Sequence, residues 1–545
     1  SLSALYTRDA DTEARQLDGR SRATAGEAIV RNNRLRYQMR SIAHTRLGGR
    51  HVFPGAKSLQ LDWFGSVAQA RLADPLLRET FYCLVPAGGA GGDTPCLQQP
   101  QDGAVYQVDQ RESGKFQFFD LTDDTATGAL DLSLPFKQWR QLDSKLKFGG
   151  WVEGKRRSFT ARTFDYQTVG SAGLPTGTGD ILTPETIGGG PSDTSAPFFL
   201  KEFTRADDSY RGDQRIFAGY AMLDLPLVRW LRVVGGARVE ASTINVRPFD
   251  RFGRPVAPEK SARVVDNSVL PSASVIFPLA SPRLRGDMNI RLSAAKTVGR
   301  PEFRELAPFL FTDFVGGFDV YGHPELRTTK IWNADLRWEW FPSAGEVIAV
   351  SAFYKHFDGP IERVIGARAT PVQSFRNALS AQNVGGELEA RKSLEFVHRA
   401  LRELSLGANF AYVYSRVDFP VYDPQDPFSY SGPPRPLEGQ SPYVVNTYLS
   451  YDRDKSGTAA RVLFNTFGKR IAFVGGQGAP NIYELPVHSL DLTLQQRIHK
   501  KGLSLSAGAF NVLNWRRRFV QGDEAAVTYN ALRGVTFVLG LQYDR

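Results

Sequence analysis

No stretch of this 545-residue chain approaches the roughly 18 to 20 consecutive apolar residues that a membrane-spanning helix needs, and its mean hydropathy is −0.30. A helical membrane protein is therefore excluded. A chain of spanning strands is not, because such strands give only every second residue to lipid and escape a running hydropathy average. Cysteine is also scarce. The 2 present, Cys83 and Cys96, flank the Gly-rich segment CLVPAGGAGGDTPC. Two thiolates without suitably spaced histidines do not complete a tetrahedral metal shell, so a local disulfide in an oxidising compartment is expected. The 7 histidines (His44, His51, His323, His356, His398, His488 and His499) are scattered, with no HExxH pair and no His/Cys cluster. Glycine is plentiful at 51 residues, yet no Gly-rich loop links a strand to a helix as phosphate binding requires. The expectation is a protein that is not an enzyme and carries no cofactor.

The sequence also starts without Met, a positive n-region or an apolar h-region, so no secretory leader is visible and a processed or partial product is expected. Its formal charge is +10, but there is no dense Lys/Arg block and no recognition-helix pattern, so no nucleic-acid partner follows. In a barrel, such a balance would favour lipopolysaccharide phosphates or an anionic ligand.

What the chain does have is alternation. Between Gly322 and Ile365, Trp332, Ala334, Leu336, Trp338 and Trp340 fall on one parity, and Asn333, Asp335, Arg337 and Glu339 on the other. A period of two is a β-strand. The break FPSAGE fits a tight turn, and a second apolar run follows from Val347 to Tyr354, so the stretch reads as a long hairpin. A soluble sandwich would turn the apolar face to its core, whereas a membrane barrel gives it to lipid and keeps the charges around a wet lumen. Ile331 to Trp340 is long enough for the roughly 9–11 residues of a tilted spanning strand. The same grammar recurs in Leu404 to Tyr414 and in Leu146 to Val152. In the last run Phe537, Leu539, Leu541 and Tyr543 share a face, with Asp544 and Arg545 beyond them.

Several phrases carry a family resemblance: SVAQARLADP from Ser66, GGARVE from Gly235, RPEFRELAPF from Arg300, GQSPYVVN from Gly439, NTFGKRI from Asn465 and NVLN from Asn511. Together with the Gly322–Ile365 hairpin they resemble the barrel of TonB-dependent outer-membrane receptors, in the branch with a carboxypeptidase-regulatory-like N-terminal domain. The final run resembles the C-terminal assembly signal of outer-membrane barrels. The resemblance implies a bacterial outer-membrane location and a 22-stranded barrel with an internal plug. It also implies an extracellular ligand, and TonB with its inner-membrane energising complex as partner.

Short connections such as PGAKS, SPRLRGD, FPSAGE, DRDKSG and HKKG alternate with long ones. Residues 1–545 are thus read as an all-β, transmembrane antiparallel β-barrel with extracellular loops at 74–115, 166–210, 297–327 and 417–441. Hairpin counting gives about 18 of an expected 22 strands, with the plug domain outside this sequence. An open sheet edge cannot stand in hydrocarbon, so the first strands and the plug are expected from the same precursor or from a separate chain.

Asn333, Asp335, Arg337 and Glu339 are candidates to face the lumen or plug, or to form cross-strand ion pairs that satisfy a wet wall. Arg300, Glu302, Phe303, Arg304, Glu305, Phe309, Phe311 and Asp313 are candidates for an extracellular ligand vestibule, or for a folded loop's own core. The function expected is the barrel portion of a TonB-dependent transporter moving an unidentified extracellular ligand. The alternative is a non-energised barrel serving as adhesin or surface-complex scaffold.

Overall fold

The structure is a computed structural model that describes residues 1–545 apart from 22–27, 57, 87–95, 100, 109–113, 170–175, 178–182, 257, 280–284, 313–318, 367–371, 427, 431, 476–478, 499–501, 523–525 and 544–545. Its wall is a meander of long strands. They are β1 (Leu2–Ser21), β2 (Ala28–Phe53), β3 (Leu59–Val85), β4 (Gly114–Lys137), β5 (Asp143–Thr168), β6 (Ser209–Val228), β7 (Leu231–Phe249), β8 (Ala262–Leu279) and β9 (Asp287–Gly299). The second half continues with β10 (Thr329–Phe341), β11 (Val347–Asp358), β12 (Ser380–Ser393), β13 (Leu404–Asp418), β14 (Tyr443–Arg453), β15 (Thr458–Phe467), β16 (His488–Arg497), β17 (Leu503–Phe510) and β18 (Thr536–Tyr543). Each strand pairs antiparallel with the next in sequence.

The sheet numbers 22 strands in all, because the loop ribbons Val105–Val108, Thr176–Gly177, Ile187–Gly188 and Phe198–Glu202 also join it. Among the described residues β1 pairs only with β2 and β18 only with β17, so backbone hydrogen bonds do not close the sheet.

Alternation sorts the two faces along the whole meander. On β10, Trp332 and Leu336 are exposed, and Leu336 lies in register with the exposed Leu292 of β9 and with Ala352 of β11. Val350, Leu388, Phe410 and Leu449 continue this apolar outer face, and Phe537, Leu539, Leu541 and Tyr543 end it on β18. The opposite face carries the polar parity and, towards one end, a buried core in which loop residues pack against the wall. That face is the inside.

Many strands far exceed the roughly 9–11 residues that cross hydrocarbon. β3, at 27 residues, is one of them. Its segment from Asp74, which contains Pro75, does not leave the sheet as a loop. The register with β4 shifts between Asp74 and Leu77, a bulge that takes up the residue unable to donate a ladder hydrogen bond. The Asp74 carboxylate is fully buried there and accepts from Arg36 at 2.6 Å. Cys83, near the top of β3, is disulfide-bonded to Cys96.

Connections alternate between short turns, such as 54–58, 229–230 and 342–346, and long loops, such as 300–328 and 419–442. The long loops are themselves paired. Leu310–Thr312, Asp319–Tyr321, Val372–Asn377, Ile361–Gly366, Arg470–Gly475, Ile482–Glu484, Arg517–Gln521 and Ala526–Ala531 form a second sheet of eight strands. Two of its joints are parallel, Asp319–Tyr321 against Val372–Ser374 and Val364–Ile365 against Val474–Gly475.

The two-faced wall makes a direct prediction. Leu336→Arg places a charge on the outer face near the middle of its strand, at about 2–4 kcal/mol, whereas Asp335→Asn changes an inner residue that water reaches. Heat-resistant folded barrel on a gel should fall sharply for the first and stay close to the parent level for the second.

Candidate functional site

The inner face and the outer loops meet around the segment after β9. Pro301 and Glu302 lead into a single helical turn, α1 (Phe303–Leu306), closed by a capping box in which the Glu302 amide donates to Glu305 at 2.8 Å. Phe303 is buried, lying over Gly212 of β6 so closely that a β-carbon there would come within 2.8 Å of the ring. Lys155 and Arg157 of β5 flank the ring at 5.7 and 5.3 Å from its centroid, and Arg157 is held by Asp123. Phe309 packs on Phe159 at 4.7 Å and on Phe119 at 6.2 Å. Arg300 donates to Ser242 at 3.0 Å and to Glu240, which Arg238 also engages. The turn is completed where Gly322 passes the Ala307 carbonyl, 2.0 Å from the place a β-carbon would take.

Of the candidate vestibule residues, Arg300, Phe303 and Phe309 thus come together as the anchor that folds this loop onto the inner wall. Glu302 and Arg304 stay exposed, and Glu305 is half-buried. Phe311 lies in the strand Leu310–Thr312 with its side chain outside the described residues, and Asp313 lies outside the described residues altogether.

The polar parity of β10 sits lower on the same face. Arg337 donates to Glu339 at 3.0 Å, to Glu389 of β12 at 2.7 Å and to Ser351 of β11 at 3.1 Å, while Arg291 of β9 reaches Glu339 at 2.6 Å. Asn333 bridges Thr297 at 3.1 Å and Lys355 at 3.2 Å. Asp335, in the same row, is exposed. This row ties β9 to β12 through side chains and lines the inner wall with fixed, paired charge.

A second charged group joins the loop sheet to the loop between β13 and β14. Glu362 and Arg435, both almost fully buried, pair at 2.8 Å, and Arg435 also lies over the rings of Phe419 and Tyr430 at 4.7 and 5.2 Å. Beside them Arg363 meets Glu438 at 2.7 Å. Burial pushes the Glu438 carboxyl up to about 7; Arg363 opposes the shift and Glu362 adds to it. Burial likewise raises Glu362 against the pull of Arg435. Nearby, burial holds His323 down to about 4, with Arg376 acting in the same direction. Sequence reading missed this group because Glu362 and Arg435 lie 73 residues apart. Its one local trace is the Pro-rich run PPRPLEGQ, which sets an Arg and a Glu in a rigid extended segment. Among the described residues no cluster of three or more His, Cys, Asp or Glu is placed to hold a metal ion.

An apolar outer face, a paired polar inner wall and folded outer loops define a transmembrane β-barrel of the bacterial outer membrane. The chain belongs to the TonB dependent receptor-like, beta-barrel family, whose profile matches residues 3–512, a family of receptors rather than enzymes. Solved structures share the fold at low identity. The pyoverdine outer membrane receptor FpvA of Pseudomonas aeruginosa PAO1 aligns over 99% of this chain and 72% of its own, at 12% identity and a TM-score of 0.57. For the ferric-catecholate import receptor Fiu of E. coli K12 the values are 99%, 80%, 12% and 0.52. For the ferric citrate transporter FecA they are 99%, 77%, 10% and 0.51. No curated protein matches the sequence.

The buried carboxyls give the loops a pH dependence. Between its ordinary value near 4.5 and about 7, folded Glu438 holds a proton that the unfolded chain releases, so its contribution to loop stability falls as pH rises through that window. His323 contributes the opposite slope from 6.5 down to about 4, in parent and variant alike. Glu438→Gln should therefore remove one component only. Hydrogen exchange of the Ile361–Gly366 amides, corrected for intrinsic rate, should quicken from about pH 5 to about pH 7.5 more in the parent than in Glu438→Gln.

Proposed function

We propose that this chain forms the wall and outer loops of a TonB-dependent outer-membrane transporter that captures a bulky extracellular ligand and passes it through the lumen with energy delivered by TonB. The observation that carries the reading is the cross-paired loop sheet standing above an inner wall of fixed charge. Such a mouth presents a broad, preorganised surface, suited to a large polar ligand rather than a bare ion. The similar structures are named for pyoverdine, ferric-catecholate and ferric citrate, and a ligand of that bulk is the proposal here. The outer membrane holds neither nucleotide nor ion gradient, so passage past a plug needs work transmitted from the inner membrane.

The edges of β1 and β18, which have no second strand among the described residues, support a further part of the reading. Each unsatisfied peptide group in hydrocarbon costs several kcal/mol, so about four more strands and a plug complete the barrel, from the same precursor or from a separate polypeptide. This makes the chain some 18 of 22 strands. Asn333, Asp335, Arg337 and Glu339 then face the plug, and Glu302 and Arg304 border the ligand vestibule. On its recurrent phrases, the chain belongs with the carboxypeptidase-regulatory-like branch.

Intact mass measurement and N-terminal sequencing of the detergent-extracted protein, denatured without reductant, test this reading. The expected result is a plug-bearing polypeptide, continuous with this chain or associated with it, that binds purified TonB. Recovery of this chain alone as a closed, folded barrel without affinity for TonB would overturn transport in favour of a surface scaffold.

A further inference from the structure

Three adjoining recesses on the outer side of the wall, of about 500, 670 and 620 Å³, share Asp213 and Arg215 of β6. Apart from Lys155 and Arg157, which belong to the inner face, their basic side chains are Arg156, Arg211, Arg215, Arg247 and Arg263, exposed on the lipid-side parity of β5 to β8. The acids among them are already engaged. Asp213 accepts from Asn245 and from Arg247, each at 2.8 Å, and Asp124 accepts from Gln69 at 2.8 Å. Among the described residues Arg156, Arg215 and Arg263 have no acidic partner, although Arg156 lies in register between Asp124 and Asp213. Arg211 is directly opposite Arg247, whose charge Asp213 meets, and among the described residues Arg211 has no acidic partner of its own. Arg211 rests on the Phe249 ring at 4.8 Å, which holds its guanidinium in place.

The height of this cluster matters as much as its charge. Two residues further from the long loops, Arg215 gives way to Phe217, in register with Val152, and Val67 and Val239 on the same outer parity are exposed as well. Immediately beneath the arginines the floor is shallow, formed by Ala126 and by Gly154, above which space is open. Above them the end of β7 and the loop that follows form a rim with Pro248, Pro255 and Pro258. The arginine cluster therefore lies where the apolar band ends on the long-loop side, the height of lipid headgroups in the outer leaflet.

We infer that this recess is a binding site for a phosphorylated glycolipid of the outer leaflet. Guanidinium forks match phosphate oxygens bidentately. The acyl chains of such a lipid would continue down over Phe217, Val152 and Val67, while Thr122 and Ser158 offer hydroxyls to its sugars. A protein partner fits less well, because the apolar surface directly below belongs to the bilayer. The inference goes beyond the transport reading and rests only on the placement of the barrel in the membrane.

The test is native mass spectrometry of the full protein, with whatever polypeptide accompanies it, titrated in detergent with hexa-acylated diphosphoryl lipid A. Dephosphorylated lipid A and phosphatidylglycerol are the comparison probes. Arg156→Gln/Arg215→Gln should bind diphosphoryl lipid A about tenfold or more weakly. Lys296→Gln/Lys330→Gln, which changes outer-face cations of β9 and β10, should match the parent. The parent should bind dephosphorylated lipid A as weakly as the double arginine variant binds the phosphorylated form. A heat-resistant folded band is required of each variant; should the double variant lack it, Arg215→Lys, which keeps the charge and loses the fork, should give a smaller loss. The inference is overturned if the arginine variants bind like the parent. It is also overturned if the parent holds phosphatidylglycerol or dephosphorylated lipid A as tightly as diphosphoryl lipid A.

Discussion

Hydrocarbon offers a peptide group no hydrogen-bond partner, and that constraint shapes the rest of this molecule. Every N–H and C=O at membrane depth must be met by a neighbouring strand, so the chain runs as a meander in which each strand pairs with the next. Once the strands stand side by side, side chains alternate between two solvents. Leu292, Leu336 and Val350 take the lipid side, while Arg291 and Arg337 take the wet side and pair there with Glu339 and Glu389. The connections inherit the same asymmetry: turns are short at one end, and the loops at the other have room to fold.

What depends on local period is legible in the sequence. The parity of Trp332 to Trp340 marks the outer face of β10, and the same signal in Phe537 to Tyr543 marks β18. The two cysteines were legible as a pair because nothing else in the chain offers them a partner. Where a feature depends on distant residues the signal vanishes. Pro75 reads as the end of a strand, yet a bulge opposite Phe118 carries the pairing past it. The aromatic run after Arg300 left two readings open, and only the position of Gly212 on β6 shows why Phe303 is an anchor. The loop strands are shorter still, three residues in Leu310–Thr312 and Ile482–Glu484, too few to display any period. Their partners lie in other loops, so no single stretch announces them.

Charge shows the same division between local and assembled information. A composition of +10 says nothing of where cations stand. Inside the wall, arginines such as Arg291 and Arg337 are consumed by neighbouring carboxylates. Outside, at the upper edge of the apolar band, arginines from four successive strands converge with fewer acids to meet them. The two populations differ only in strand parity, which a count of residues cannot see.

The second sheet has a consequence for how such a surface can change. Because Val364 pairs with Val474 and Asp319 with Val372, loops from separate hairpins behave as one woven cap rather than as independent fingers. Replacing one of them with a loop of different length would strand the ladder edges of its neighbours, so the four loops of this cap must diversify together. Loop grafting between barrels of this kind is then a matter of transplanting a whole fabric, with the hairpins beneath it acting as its frame.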